Sequence, residues 1–243
     1  MIRLHHAAQT RSFRVLWALE ELGLGYELVR VSLLDGSLRG PDYRVLSPAG
    51  RVPAIEIDGG RMAESGAILQ WLSEREGRLG PGAGERADWL EWLHYAETAG
   101  AHLANLTQQH IVLREDWMRS PTVMTLEARR LARVLAAVED RARGEWLLGG
   151  FSMADIAMGY SADIATRFIP LEGLPRTAAW LGRLRARPGF LRARAADGPA
   201  ELYRQPFYPP PAATPPAAAP SAAPTEGGAT APSRSSRPGP GAG

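Results

Sequence analysis

Six residues, Leu79-Gly-Pro-Gly-Ala-Gly84, divide this chain into two stretches with different hydrophobic periods. Before them, strand and helix patterns alternate. Residues 2–7, IRLHHA, read as a short strand. Residues 11–23, RSFRVLWALEELG, carry apolar side chains on a broad helical face and end on Gly23, a residue suited to the left-handed turn after a helix. YELVRV, from Tyr26, reads as a second strand, and strand, helix and parallel strand make a right-handed βαβ unit. DYRVLSP predicts a short helix stopped by Pro48. PAIEI, the turn DGG and RMA then predict a β-hairpin. A helix over 65–77 follows, with Ile68, Leu69 and Leu72 on one face. The order βαβ(α)ββα predicts a four-stranded sheet with helices on both sides.

After the Gly/Pro-rich linker the pattern is helical to about Arg194. Trp89, Leu93, Ala96, Gly100 and Leu103 recur at helical spacing, as do Ala128, Leu131, Leu135, Val138 and Ala142, with Pro121 between the two runs. FSMADIAMGY, from Phe151, opens a third helix. Ser152 stands at the cap position and Asp155 three residues on, a capping box with Asp in place of Glu or Gln, flanked by Phe151 and Ile156 as a hydrophobic staple. A Ser cap contributes about 1 kcal/mol, so Asp155 is read as structural rather than catalytic.

Composition narrows the function. The chain has no cysteine, which removes disulfides, thiolate metal sites and a cysteine nucleophile together. Its 28 basic and 26 acidic residues are balanced, with no dense basic run, so no nucleic-acid partner is expected. No apolar run approaches a membrane span, and the first residues have no apolar signal core, so the expectation is a cytoplasmic protein with no membrane partner. From Pro206 the chain holds eleven of the 20 prolines and, after Tyr208, almost no large apolar residue. Such a segment cannot bury enough surface to offset chain entropy. The expected organisation is 1–78, a linker 79–84, an all-helical 85–205 and a disordered Pro/Ala-rich tail 206–243. The tail is read as a neutral extension, with a Pro-rich docking ligand as a lesser alternative.

Five segments in this order and spacing, TRSFRVLWALEELGLGYE, GRVPAIEIDGG, AESGAILQWL, WLHYAE and FSMADIAM, are together similar to a cytosolic-type glutathione transferase of a microbial branch. The resemblance covers residues 1 to about 195 and does not extend into the tail. It implies an α/β plus all-α fold: a thioredoxin-like glutathione-binding domain over 1–78, then a C-terminal helical-bundle domain. It also implies glutathione as co-substrate, no metal, a role in detoxification and a homodimer. Trp71, Trp92 and Trp117 stand at helical positions that one core need not consume, which agrees with a dimer.

The resemblance also places a site. It implies a cis bond before Pro53, with Val52 offering its main-chain N–H and C=O to the cysteinyl residue of glutathione, much like an added strand; the plain alternative is a proline opening a strand. It implies that the Ser65 hydroxyl and N–H hold the γ-glutamyl carboxylate at a helix N-terminus and that Glu64 holds the α-ammonium. From the residues alone, Ser65 capping its own helix beside a solvated Glu64 is the favoured reading, and the resemblance reverses the preference. Arg51 is placed to reach the glycine carboxylate, or is an ordinary surface arginine. Glutathione's thiol is a weak nucleophile while protonated, so the catalyst must stabilise the thiolate. Thr10 stands where that branch has Ser, between the first strand and the first helix, and is the expected hydrogen-bond donor. Its β-methyl restricts its rotamers, so Ser12 is the second catalytic candidate, Gln9 a third donor, and Arg11 a source of positive potential.

His5 and His6 are adjacent on a strand, point to opposite faces and cannot share one site. His94, His102 and His110, eight apart, form a rough helical stripe. That stripe, with Tyr95 and Asn105, is either the wall of a second-substrate pocket (Tyr95, His102, Asn105) or a set of satisfied polar groups at a packing seam. The expected activity is addition of glutathione to an electrophile, or glutathione-dependent reduction of a hydroperoxide. A binding protein without turnover and an interaction scaffold are the alternatives on this fold. Thiol exchange through a protein cysteine is excluded by composition.

Overall fold

The computed structural model describes residues 1–142 and 144–210. The first half comprises β1 (Ile2–His6), α1 (Ser12–Leu22), β2 (Tyr26–Arg30), α2 (Pro41–Leu46), β3 (Ala54–Ile57), β4 (Gly60–Ala63) and α3 (Ser65–Glu76). The four-stranded sheet runs β2-β1-β3-β4. β1 is parallel to β2, with Ile2 opposite Tyr26 and His6 opposite Arg30. It is antiparallel to β3, with Ile2 opposite Ile57, and β4 returns antiparallel along β3. This is the four-stranded sheet that the element order predicts, in the thioredoxin-like arrangement that the resemblance implies.

The alternation of β1 decides where its polar residues go. Arg3 and His5 share one face and both reach Glu56 on β3, Arg3 Nη1 at 3.0 Å and His5 Nε2 at 2.8 Å from Oε1. Ile2, Leu4 and His6 take the other face. α1 is buried along nearly its whole length because it lies at once against the sheet, α3 and two helices of the second half, Met153–Ala165 and Pro188–Asp197. Gly23, at φ 68°, ends it with an N–H donated to Leu19.

The second half comprises α4 (Arg86–Thr107), α5 (Pro121–Arg141), α6 (Met153–Ala165), α7 (Pro175–Ala186) and α8 (Pro188–Asp197). The expected capping box opens α6: Ser152 Oγ accepts from Ala154 N–H, and the Asp155 carboxylate accepts from Ser152 N–H at 3.0 Å. Asp155 also accepts from Leu147 N–H and from Trp180 Nε1–H, so it ties α6 to the preceding loop and to α7. α6 is buried on every side. Gly159 permits this: a Cβ there would meet Leu184 Cδ1 at 2.5 Å.

The two stretches separated by the linker form one compact unit with a continuous apolar core. α8, late in the chain, packs back on α1. Part of the segment expected to be disordered from residue 206 is packed on the core. Tyr208 is buried, its ring stacks 5.5 Å from Phe168, and its N–H donates to the Arg167 carbonyl at 2.7 Å. Periodicity cannot reveal one aromatic anchored by a distant helix end. The rest of the expected tail, 211–243, lies outside the described residues. Among the described residues no helix is long and apolar enough to cross a membrane.

Candidate functional site

A cleft of about 680 Å³ opens between the first half and α4. Three segments of the first half line it: Gln9, Thr10 and Arg11 from the β1–α1 turn, Arg51, Val52 and Pro53 ahead of β3, and Glu64 and Ser65 at the start of α3. These are the glutathione-site residues expected from the sequence, with Ser12 excepted. The Val52-Pro53 peptide is cis. A second cleft, about 760 Å³, lies around the linker beside Glu85 and Trp89 and contains none of them.

The α3 terminus differs in detail from expectation. Glu64, exposed and at φ 71°, occupies the cap position, and no side chain caps this helix. Ser65 is the first helical residue and is buried; its Oγ accepts a hydrogen bond from Arg14 Nη1 at 3.0 Å. The first-turn N–H groups of α3 and the positive end of its dipole therefore stand at the cleft beside a fixed hydroxyl. Arg51 is exposed, held through its backbone by Ser47 Oγ and Tyr43. Burial pushes the Tyr43 phenol up to about 12, so it remains a neutral donor to the Arg51 carbonyl.

Arg14 is wholly buried. Besides Ser65 it bonds Glu97, the Ala96 carbonyl at 3.1 Å and Ser161 Oγ at 2.8 Å, with its guanidinium 5.2 Å from the Tyr160 ring centre. Burial raises the Glu97 carboxyl, but the charge and hydrogen bond of Arg14, with the charge of Arg11, hold it net below the usual carboxylate range. Arg11 Nη1 reaches Glu97 at 2.9 Å, so its charge is shared rather than free.

Thr10 lines the cleft, whereas Ser12 is fully buried behind it, their oxygens 2.8 Å apart. Ser12 therefore cannot meet a ligand directly, because the first turn of α1 carries it under Thr10. Gln9 takes a left-handed φ of 58°, rare for a residue with a side chain. Its N–H donates to Asp197 Oδ1 at 3.0 Å, and its carbonyl accepts from Tyr160 at 3.1 Å.

Tyr95, His102 and Asn105 do not line the cleft. His102 Nδ1 and Asn105 Nδ2 both bond Glu127 of α5, at 2.7 and 3.2 Å, and Tyr95 packs on Trp92. His102 and Asn105 form a polar seam between α4 and α5. The wall of the cleft is another stripe of α4, Gly100, Leu103, Ala104 and Thr107, at i, i+3, i+4 and i+7. Facing it are Tyr160, Leu202 and Tyr203, with the Tyr203 hydroxyl 2.7 Å from Thr107 Oγ1. Gly100 and Leu103 belong to the apolar run read from the sequence, but Ala104 and Thr107 do not, and the orientation of the stripe is not legible in the period. Among the described residues no group of three His, Asp or Glu side chains is arranged to hold a metal ion.

Residues 10–75 match the glutathione S-transferase N-terminal domain family model. The disulfide-bond oxidoreductase YfcG of Escherichia coli (strain K12) is 33% identical over 215 residues, 81% of this chain and 98% of that one. Glutathione S-transferase GstA of Escherichia coli O157:H7 is 30% identical over 193 residues, 74% of this chain and 90% of that one. The chain belongs to the glutathione S-transferase family. Among solved structures, a glutathione transferase from Burkholderia graminis with two glutathione molecules bound per subunit superposes with a TM-score of 0.71 at 25% identity, covering 80% of this chain and 88% of that one. Within this transferase family member, the matched segment begins at Thr10 and includes the Arg51–Pro53 and Glu64–Ser65 sides of the cleft.

Proposed function

We propose that this chain binds glutathione in the 680 Å³ cleft and uses its thiolate as a nucleophile, adding it to an electrophile or reducing an organic hydroperoxide with it. One observation carries the reading: the uncapped N-terminus of α3 with Ser65, the Val52 edge before the cis peptide, and the Thr10 hydroxyl surround one cleft. In this reading Ser65 and Glu64 hold the γ-glutamyl end, Val52 the cysteinyl backbone and Arg51 the glycine carboxylate. The thiol then lies at Thr10, and the second substrate along Leu103, Ala104, Thr107 and Tyr203. The subunit is proposed to work as a homodimer. Of the three tryptophans considered, Trp92 is buried in its own subunit and does not argue for it, while Trp117 is 80% exposed.

A second reading has a specific basis. The relative that is 33% identical is named a disulfide-bond oxidoreductase, and the Burkholderia graminis structure holds two glutathione molecules per subunit. This chain has no cysteine. Disulfide exchange here would run from glutathione thiolate attacking a substrate disulfide, giving a mixed disulfide and one free thiol, with no protein thiol involved. Capture on immobilised glutathione, followed by turnover with electrophiles, hydroperoxides and a small disulfide, separates the readings. Capture without turnover on any of the three classes would leave a binding protein.

A further inference from the structure

Behind Thr10 runs a buried line of hydrogen bonds. Thr10 Oγ1 lies 2.8 Å from Ser12 Oγ, and Ser12 Oγ lies 2.8 Å from His6 Nδ1. His6 Nε2 lies 3.2 Å from both the Asp197 main-chain oxygen and Asp197 Oδ1. His6 and Ser12 are fully buried and Asp197 is 1% exposed. The partners decide the tautomer. Nε2 faces only acceptors and so carries the proton, which leaves Nδ1 as a lone pair aimed at Ser12. Ser12 donates to it at 2.8 Å, with the Ala7 carbonyl a longer acceptor at 3.1 Å; Ser12 Oγ in turn accepts from the Ala7 N–H at 3.3 Å and from Thr10, whose proton is shared between Ser12 and the Ala7 carbonyl at 2.8 Å. The Thr10 proton is thus directed into the protein; one Oγ1 lone pair receives the Ser12 N–H at 3.3 Å, and the other is left for the cleft.

We propose that His6 is the terminal proton acceptor for the glutathione thiol, reached through Thr10 and Ser12; this rests on the glutathione reading above. The thiol S–H gives its proton to Thr10 Oγ1, Thr10 passes its own to Ser12 Oγ, and Ser12 passes its own to His6 Nδ1. Three O–H or N–H bonds form while the S–H bond and two O–H bonds break. Sulfur keeps the electron pair as thiolate, and His6 becomes an imidazolium. Thr10 now carries the former thiol proton and donates it back to the thiolate as a hydrogen bond. The positive charge on His6 faces the Asp197 carboxylate. That carboxylate also holds Arg194 Nη1 at 3.2 Å, but Arg194 is shared with Asp163 at 2.6 Å. Arg30, opposite His6 on β2, spends Nη1 on the Asp197 main-chain oxygen at 2.9 Å. His5 lies on the other face of the sheet with Glu56. With no exposed member beyond Thr10, the line delivers the proton to a group that retains it.

The test compares the full chain with His6→Asn and Ser12→Ala. Asn places an amide near the Nδ1 position, so it can still accept from Ser12 but cannot take up the proton. Three quantities are read: affinity for S-methylglutathione, which has no thiol proton; the ultraviolet thiolate absorbance of bound glutathione against pH; and protons released on glutathione binding, from calorimetry in buffers of different ionisation enthalpy. The expected result is an S-methylglutathione affinity within ~3-fold of the parent in both variants. The thiolate midpoint rises by about one unit, a ~10-fold loss of thiolate below it. The parent releases far less than one proton per thiolate formed, while the variants release about one. A midpoint and proton count in His6→Asn equal to the parent's would overturn the relay; if His6→Asn does not fold, the same equality in Ser12→Ala does so. A parent chain that binds neither glutathione nor S-methylglutathione would instead remove the glutathione reading itself.

Discussion

Arg14 Nη1 donates to Ser65 Oγ across 3.0 Å, and this bond joins the interior of α1 to the first residue of α3. A guanidinium only donates. Ser65 Oγ must therefore accept here, and its own proton remains for the ligand carboxylate that is proposed to sit at this end of the cleft. Ser65→Ala is expected to weaken glutathione binding by ~10-fold, the loss of one charge-assisted hydrogen bond. Turnover of the bound complex should change much less. A kcat loss larger than the rise in Kd would move Ser65 from binding into the chemical step.

Arg14→Met should be more damaging to the fold. It removes the buried cation that holds Glu97, Ala96, Ser161 and Ser65 together. Breaking a buried pair costs about 3–5 kcal/mol. The Glu97 side chain is 35% exposed, so water recovers part of this and about 2–3 kcal/mol is expected. Urea unfolding measures it, and a cost below about 1 kcal/mol would show that the cluster is a contact without consequence.

Thr10→Val keeps the shape of the side chain and removes its hydroxyl. Turnover should fall by ~10-fold to ~100-fold, the effect of losing one hydrogen bond to a charged group. The apparent pKa for turnover should rise, because the thiolate is then less stabilised relative to the thiol. An unchanged rate and pH profile would shift the role to Gln9 or to backbone amides.

Acid should weaken the chain through Glu97. Its carboxyl pKa is lowered in the folded protein, with Arg14 and Arg11 overcoming the effect of burial. The folded state therefore releases this proton more readily than the unfolded one. The resulting stabilisation is complete above the ordinary carboxyl value and is lost as pH falls through the lowered folded value. In Glu97→Gln the melting temperature should lose part of its dependence on pH below about pH 4.5. Parallel curves for the two proteins would assign the acid sensitivity to other carboxylates.

Truncation should distinguish two parts of the C-terminal segment. Removing residues 211–243 should leave melting temperature and glutathione affinity nearly unchanged, because that stretch has no large apolar residue to bury. Removing residues 206–243 also removes Tyr208 from its stack on Phe168, and should cost about 2–3 kcal/mol. Equal stability of the two truncations would show that Tyr208 contributes nothing. Sedimentation of the same proteins at micromolar concentration reads the proposed homodimer, which a single-subunit mass would exclude.

The three segments that line the cleft from the first half followed from the family resemblance; the sequence by itself determined the element order, the change of period at 79–84 and the capping box at Ser152 and Asp155. These are local properties: period, turn chemistry and short motifs act within a few residues, so they are legible without a partner. Only the tertiary structure decided which stripe of α4 faces the cleft. Gly100-Leu103-Ala104-Thr107 and the stripe with His102 and Asn105 are both regular, and the choice depends on Glu127 of α5 taking the polar one. The same holds for the buried groups. Arg14 reads as a charged helix residue until Glu97 and Ser161, from two other helices, surround it. His6 reads as half of an idle pair until Asp197, 191 residues later, arrives at its far nitrogen. Burial of a charge or an imidazole depends on partners distant in sequence, and no period in one chain records where those partners will fall.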